Sequence, residues 1–218
     1  SFPTRRSSDL RFVVMNTDDD IDLADISEDN YTLEDKWILN KLHILVAEST
    51  VNIDKYEFGV ALQKTVDFLW DDFCDWYIEI SKTRLFDKAC PSRKEAIFLL
   101  NYVLGTAVKL LHPFMPFITE EIYGNLIIPD KAEALMIDEW PDAGAIPEYP
   151  DECRMMETLI QAIRSIRNIR AEMNVAPSRK ASIIVVAHED SVASMLTGSI
   201  AYTSELTKYI IDHTSGSD

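Results

Sequence analysis

Three arginines, Arg164, Arg167 and Arg170, stand three residues apart in IRSIRNIRAEMN (163–174), and Arg179 and Lys180 follow just beyond. A planar guanidinium recognises phosphate or carboxylate through paired hydrogen bonds, so this spacing offers either a polyanion contact or buried ion pairs. On a helical wheel the three are not equivalent. Met155, Leu159, Ala162, Ile163, Ile166, Ile169 and Met173 share one side; Arg170 falls inside that apolar arc, Arg167 at its margin and Arg164 outside it. Arg170 is therefore expected to form a structural ion pair with a carboxylate of the fold, because a buried charge needs a partner. Arg164 and Arg167 are left to face solvent or a phosphate. Arg84 lies on the apolar side of its own helix but in the last turn, where a cation offsets the helix dipole, so structural and RNA-contacting readings both stand for it. Lys82, Arg84, Arg164, Arg167, Arg179 and Lys180 form the candidate RNA-binding set, chosen by charge and wheel position.

Groups that would do covalent chemistry are scattered. The four histidines, His43, His112, His188 and His213, fall on unrelated segments with no His-Glu-x-x-His or similar ligand spacing. The cysteines Cys74, Cys90 and Cys153 are far apart, odd in number and never C-x-x-C, which speaks against a zinc site or a disulfide framework and fits a reducing cytoplasm. With six glycines there is no phosphate-cradling loop of either common pattern, and no serine sits in a nucleophile elbow. The expectation is a binding region with no catalytic residue, no metal and no cofactor of its own.

A formal charge of −16 would oppose a polyanion partner if it were evenly spread, but along the 218 residues it is not. Seven acids crowd between Asp18 and Asp29, whereas Arg154–Lys180 holds six basic residues against Glu157 and Glu172, a local +4. The local field decides what binds. At 47% hydrophobic residues the chain has enough apolar material for one sizeable core, and no apolar run reaches the roughly 18 residues of a membrane span.

The elements that must position these residues read as helices. Thr32, with Asp35 three residues on, starts an amphipathic helix to about Val51 that buries Trp37, Ile38, Leu42, Leu45 and Val46. Residues 56–86 read as one long helix with Val66, Leu69, Phe73, Cys74, Trp76, Tyr77 and Ile80 inward and Asp71, Asp72, Asp75, Glu79 and Lys82 outward. Pro91 and Ser92 start a central helix that is apolar nearly all round. The prolines of PFMPF (113–117) bend the chain, and Thr119 is expected to restart a short helix. Residues 128–151, rich in proline and acids, read as a surface connection, and a helix from about Asp151 to Asn174 carries the arginines. After Pro177, ASIIVVAHED (181–190) reads as a strand opening a small α/β subdomain.

The first ten residues, SFPTRRSSDL, are set aside. The nucleotides TTCCCTACACGACGCTCTTCCGATCT, which resemble the end of a common sequencing adapter, translate in frame as Phe2–Leu10. The expected organisation is thus an artefact over 1–10, an antiparallel helical bundle over 11–180 and the start of a truncated α/β subdomain over 181–218. The fold class is mainly α, and the chain is expected to be a fragment.

FLWDDFCDWYIEISKTRL (68–85), LLHPFMPFITEEIYGNL (110–126) and IRNIRAEMNVAPSRK (166–180), in this order and spacing, resemble the anticodon-binding helical domain of bacterial valyl-tRNA synthetases, a class I aminoacyl-tRNA synthetase family. RFVVMN and EDKWILNKL resemble the approach to the same domain, and the likeness is dense from Arg11 to about Lys180. Isoleucine and leucine enzymes share the Pro-x-x-Pro-Phe region, while DFCDWYIE and RNIRAEMNV point to valine. The resemblance implies a parent enzyme that joins valine to its tRNA with ATP and magnesium, acting in the cytoplasm as a monomer. The family's nucleotide-site motifs and editing domain lie upstream of this region, so no catalytic residue is carried over. Composition alone would equally permit a non-catalytic helical module that docks a protein partner.

Overall fold

A computed structural model describes residues 12–13, 26–129 and 131–175. The described residues hold helices and their connections, with no strand among them. Helix α1 (Leu33–Asp54) is followed by α2 (Phe58–Asp67), which passes into a π-helical stretch (Phe68–Ile78) and then α3 (Glu79–Phe86). Next come α4 (Arg93–Leu111), α5 (Pro116–Gly124) and α6 (Pro150–Glu172). Contacts divide the chain into two units, Ser1–Cys153 and Arg154–Asp218, with the division falling inside α6.

In the first unit α4 is the central element. Leu99, Val103, Leu104 and Ala107 are fully buried, as expected of a helix apolar on nearly every side. Ser92 precedes its first residue, as the start signal predicted. It packs against α1, α3 and α5. The Cβ that Gly105 lacks would collide with the Ile128 side chain, so glycine lets residues 126–128 cross closely over α4. Asn101 fixes that crossing: its amide donates to the Ile97 carbonyl at 2.8 Å and its Oδ1 accepts the Ile127 N–H at 3.0 Å.

Helix α1 runs three residues past the expected end and buries Trp37, Ile38, Leu42, Leu45 and Val46. It also buries Glu34, Asp35, Asn40 and Ser49, so it is an interior helix with polar obligations and not a simply amphipathic one. It closes on Tyr56, held at φ 62°, where Tyr56 N–H donates to Ile53 and Glu57 N–H to Asn52 at 2.9 and 2.8 Å. That left-handed residue reverses the chain into α2.

Two expectations change. Thr119 does not cap α5: Pro116 occupies its first turn, and Thr119 is buried inside the helix, donating to the Met115 carbonyl at 2.8 Å and meeting His112 Nδ1 at 2.8 Å. Proline's fixed φ and missing N–H suit that first position better than a side-chain cap. Residues 131–149 are also more than a surface connection. They include 3₁₀ turns at Leu135–Ile137 and Ala143–Ala145, bury Leu135 and Ile146, and are pinned by His43, whose Nδ1–H donates to Ala143 and Ile146 carbonyls at 3.0 and 3.1 Å.

The artefact assigned to 1–10, the strand at 181–190 and the subdomain over 181–218 lie outside the described residues. Replacing Leu104 by alanine removes a fully buried side chain from the central helix. Chemical denaturation is expected to show a loss of about 2–5 kcal/mol.

Candidate nucleic-acid interface

Asp35 organises the site. In the first turn of α1 it is fully buried, and its carboxylate receives the Thr32 N–H at 3.0 Å and the Tyr77 hydroxyl at 2.7 Å. Both arms of Arg84 reach it, Nη1 to Oδ2 at 2.8 Å and Nη2 to Oδ1 at 2.6 Å. This bidentate geometry is the strong form of the arginine–carboxylate pair. Glu34 stands at ion-pair distance, 3.6 Å from Arg84 Nε, and is also buried. Burial works against the Arg84 charge, but the hydrogen bonds and charge of Asp35 outweigh it and hold the guanidinium above its ordinary value. Tyr77 is held protonated, by burial first and then by Asp35.

Arg84 therefore leaves the candidate RNA set. It is 7% exposed and both terminal nitrogens are committed to one carboxylate, so its role is to lock α3 onto α1. Its wheel position on the apolar side agrees with this burial; its place in the last turns of α3 does not bring it to the surface, and Ser81 and Leu85 turn inward beside it.

Lys82, two residues earlier, faces outward. Its Nζ pairs with Glu79 at 2.5 Å and lies 5.3 Å from the centre of the Phe12 ring. Phe12 in turn meets Phe86 edge-on, with centroids 6.1 Å apart, and Phe86 is 70% exposed at the end of α3. Lys88 and Lys94 are exposed, and Arg93 is half-buried, its Nε donating to the Leu85 carbonyl at 3.1 Å. Residues 82–94 thus hold five cations against Asp87, and only Arg84 is turned into the core. The exposed Phe86 ring, with half-buried Phe12 against it and cations beside it, suits splayed single-stranded bases and their phosphates.

Phe12, Phe86, Lys88, Arg93 and Lys94 were missed from sequence. The available signal was KTRLFDKACPSRK itself, a basic stretch broken by one aromatic in an acidic chain. The partnership of Phe12 with Phe86 joins residues 74 positions apart and has no local signature.

In the second unit α6 presents Arg164 as exposed, as its wheel position gives, and Arg167 and Arg170 both as half-buried. Ile163 is 3% exposed, but Ile169 is 53% and Met173 72%, so the apolar side drawn on the wheel is not buried along its whole length. Arg179 and Lys180 lie outside the described residues. His43 and His112 sit apart, each bonded to its own neighbours, and no cluster among the described residues could hold a metal ion.

Against known proteins, a family model described as the anticodon-binding domain of tRNA ligase matches residues 35–185, more than half of the chain. The chain belongs to that family. This anticodon-binding domain is 43% identical over 198 residues to a valine–tRNA ligase of Clostridium perfringens, covering 90% of this chain and 22% of the relative. Valine–tRNA ligases of Carboxydothermus hydrogenoformans and Listeria innocua are 40% and 39% identical over 85% and 88% of this chain. The domain spans about a fifth of the length of these relatives. No described helix is long and apolar enough to cross a membrane.

Two substitutions test the buried cluster. Arg84→Met strands the Asp35 charge and is expected to cost about 3–5 kcal/mol in chemical denaturation. Glu34 behaves differently, because burial pushes its carboxyl above the ordinary 4.5, with Arg84 pulling against the shift. Its stabilising protonated form is fully present below pH 4.5 and is lost as pH rises through the raised folded value. Glu34→Gln should therefore raise the melting temperature at pH 7.5 by roughly 2–4 °C, about 1 kcal/mol, and the gain should vanish towards pH 4.

Proposed function

We propose that this chain is the anticodon-binding part of a valine–tRNA ligase. It holds the anticodon stem-loop of the valine tRNA so that the distant acceptor end meets an active site elsewhere in the longer enzyme. The observation that carries this reading is identity of 39–43% to valine–tRNA ligases over 85–90% of the chain. ATP and magnesium are used by the parent enzyme at its own catalytic site, and the enzyme works as a cytoplasmic monomer.

In the first unit the loop bases stack on Phe12 and Phe86, and Lys82, Lys88, Arg93 and Lys94 take the neighbouring phosphates. Stacking is tolerant of base identity and phosphate contacts fix register, so hydrogen bonds to base edges must add the specificity. In the second unit Arg164 and Arg167 each contact a phosphate, with Arg179 and Lys180 as further candidates. Arg170 serves the fold through an ion pair.

The test is filter binding of valine tRNA to the full-length ligase. Phe86→Ala should weaken binding by about 1–3 kcal/mol with the salt slope unchanged. Lys88→Ala with Lys94→Ala should flatten the slope of log affinity against log salt by roughly 1.4, since each phosphate contact on a single strand is worth about 0.7. Affinity and slope unchanged in both variants would refute this interface. Charging of isoleucine tRNA in place of valine tRNA would refute the valine assignment.

A further inference from the structure

The end of the first unit where α1 begins and α3 stops holds more buried negative charge than positive. Glu34, Asp35 and Glu95 are all buried, and Arg84 is the only buried cation among the described residues. A carboxylate removed from water needs a cation, a full set of donors or a proton. Asp35 has the full set: the Thr32 N–H, the Tyr77 hydroxyl and both terminal nitrogens of Arg84. Glu95, in the first turn of α4, receives the Asn30 amide on Oε1 at 2.8 Å and has no partner on Oε2.

Glu34 is left with the third guanidinium nitrogen. Its Oε1 lies 3.6 Å from Arg84 Nε, too far for a hydrogen bond, and that Nε makes none elsewhere. One guanidinium thus stands between two adjacent carboxylates and is committed to the other. Arg84 from α3, Asp35 from its own helix and Tyr77 from the π-helical stretch are the charged or titratable groups that face Glu34. Burial holds its carboxyl above the ordinary 4.5, with Arg84 pulling down and Asp35 pushing up. The same surplus reaches Tyr31 ahead of α1, whose hydroxyl is pushed up to about 12, by burial first and then by Glu28, Tyr149, Asp35 and Glu95.

The cluster lies behind the basic turn. Arg84 points inward between Lys82 and Phe86, which face outward from the same helix end. At 1.5 Å of rise per residue their backbones are separated from that of Arg84 by about 3 Å along the axis, so a phosphate held at Lys82 stands on the order of 12 Å from Glu34. At an effective dielectric of about 20, two negative charges this far apart change an equilibrium roughly ten-fold, and salt screening lowers this towards about three-fold.

We propose that binding of the anticodon loop is proton-linked through Glu34, which takes up a proton from solvent on a carboxylate oxygen as the phosphates of the loop arrive. The proposal rests on the reading of residues 82–94 as the anticodon surface. Glu34 touches no RNA; it is a positioning residue that acts through Arg84, because once neutral it leaves that guanidinium to Asp35 alone and removes a charge that repels phosphate. Linkage is reciprocal, so the neutral form binds the loop more tightly. The sign follows: affinity is highest below the raised folded value of Glu34 and falls as pH rises through it.

The experiment is calorimetric titration of the full-length ligase with valine tRNA between about pH 5 and pH 8.5, in pairs of buffers that differ in ionisation enthalpy. The wild type should take up a fraction of one proton on binding, and its affinity should fall roughly three- to ten-fold across the window where that uptake occurs. Glu34→Gln, which fixes the neutral form, and Glu34→Ala, which removes the carboxyl, should both lose the uptake and keep the low-pH affinity at high pH. A wild type that binds tRNA with no proton uptake anywhere in this range overturns the linkage and leaves the functional reading intact. Uptake that persists unchanged in either variant also overturns it. A full-length ligase that binds no valine tRNA at any pH refutes the functional reading itself.

Discussion

The buried pairing of Arg84 with Asp35 is the constraint on which the arrangement of the first unit depends. It is made between the first turn of α1 and the last turns of α3, 49 residues apart in sequence. A carboxylate taken out of water is tolerated only when its lone pairs are filled, and here a backbone N–H, a tyrosine hydroxyl and two guanidinium nitrogens fill them. Such a cluster adds little net stability over a well-packed apolar one, but it accepts one register only. With Arg84 seated, Lys82 and Phe86 have no choice but to face outward, where Phe12 meets them.

This constraint also divides the arginines and lysines by role. The chain as a whole is strongly acidic, yet key acids serve the fold: Asp35 pairs with Arg84 in the interior and Asp138 with Lys109 on the turn after α5. Cations collect at the turn from α3 to α4 and along the outer side of α6. Net charge sets solubility and long-range steering, while a binding surface is set by the few groups within a Debye length, about 8–10 Å.

Much of this was legible in the sequence because it rests on local rules. Ser92 before an all-round apolar run marks the central helix, and Thr32 with Asp35 marks α1. The wheel of α6 sets Arg164 outside its apolar arc, and Arg164 is exposed while Arg167 and Arg170 are both half-buried. What could not be read depends on distant partners. Arg84 lies on the apolar side of its wheel, but its pairing with Asp35 joins residues 49 positions apart, and the Phe12–Phe86 contact likewise needs the tertiary fold. Pro116, and not Thr119, opens α5 because a fixed φ in the first turn outranks a side-chain cap, a choice that both residues made plausible in sequence.

The account's central claim is that the surface made by Phe12, Lys82, Phe86 and the basic turn lies against the anticodon loop. The most direct measurement is photocrosslinking of the full-length ligase to valine tRNA carrying 4-thiouridine in that loop, followed by mass spectrometry of the attached peptide. The account predicts attachment to Phe12 or within residues 82–94. Crosslinks confined to other parts of the protein, with valine charging intact, would contradict it.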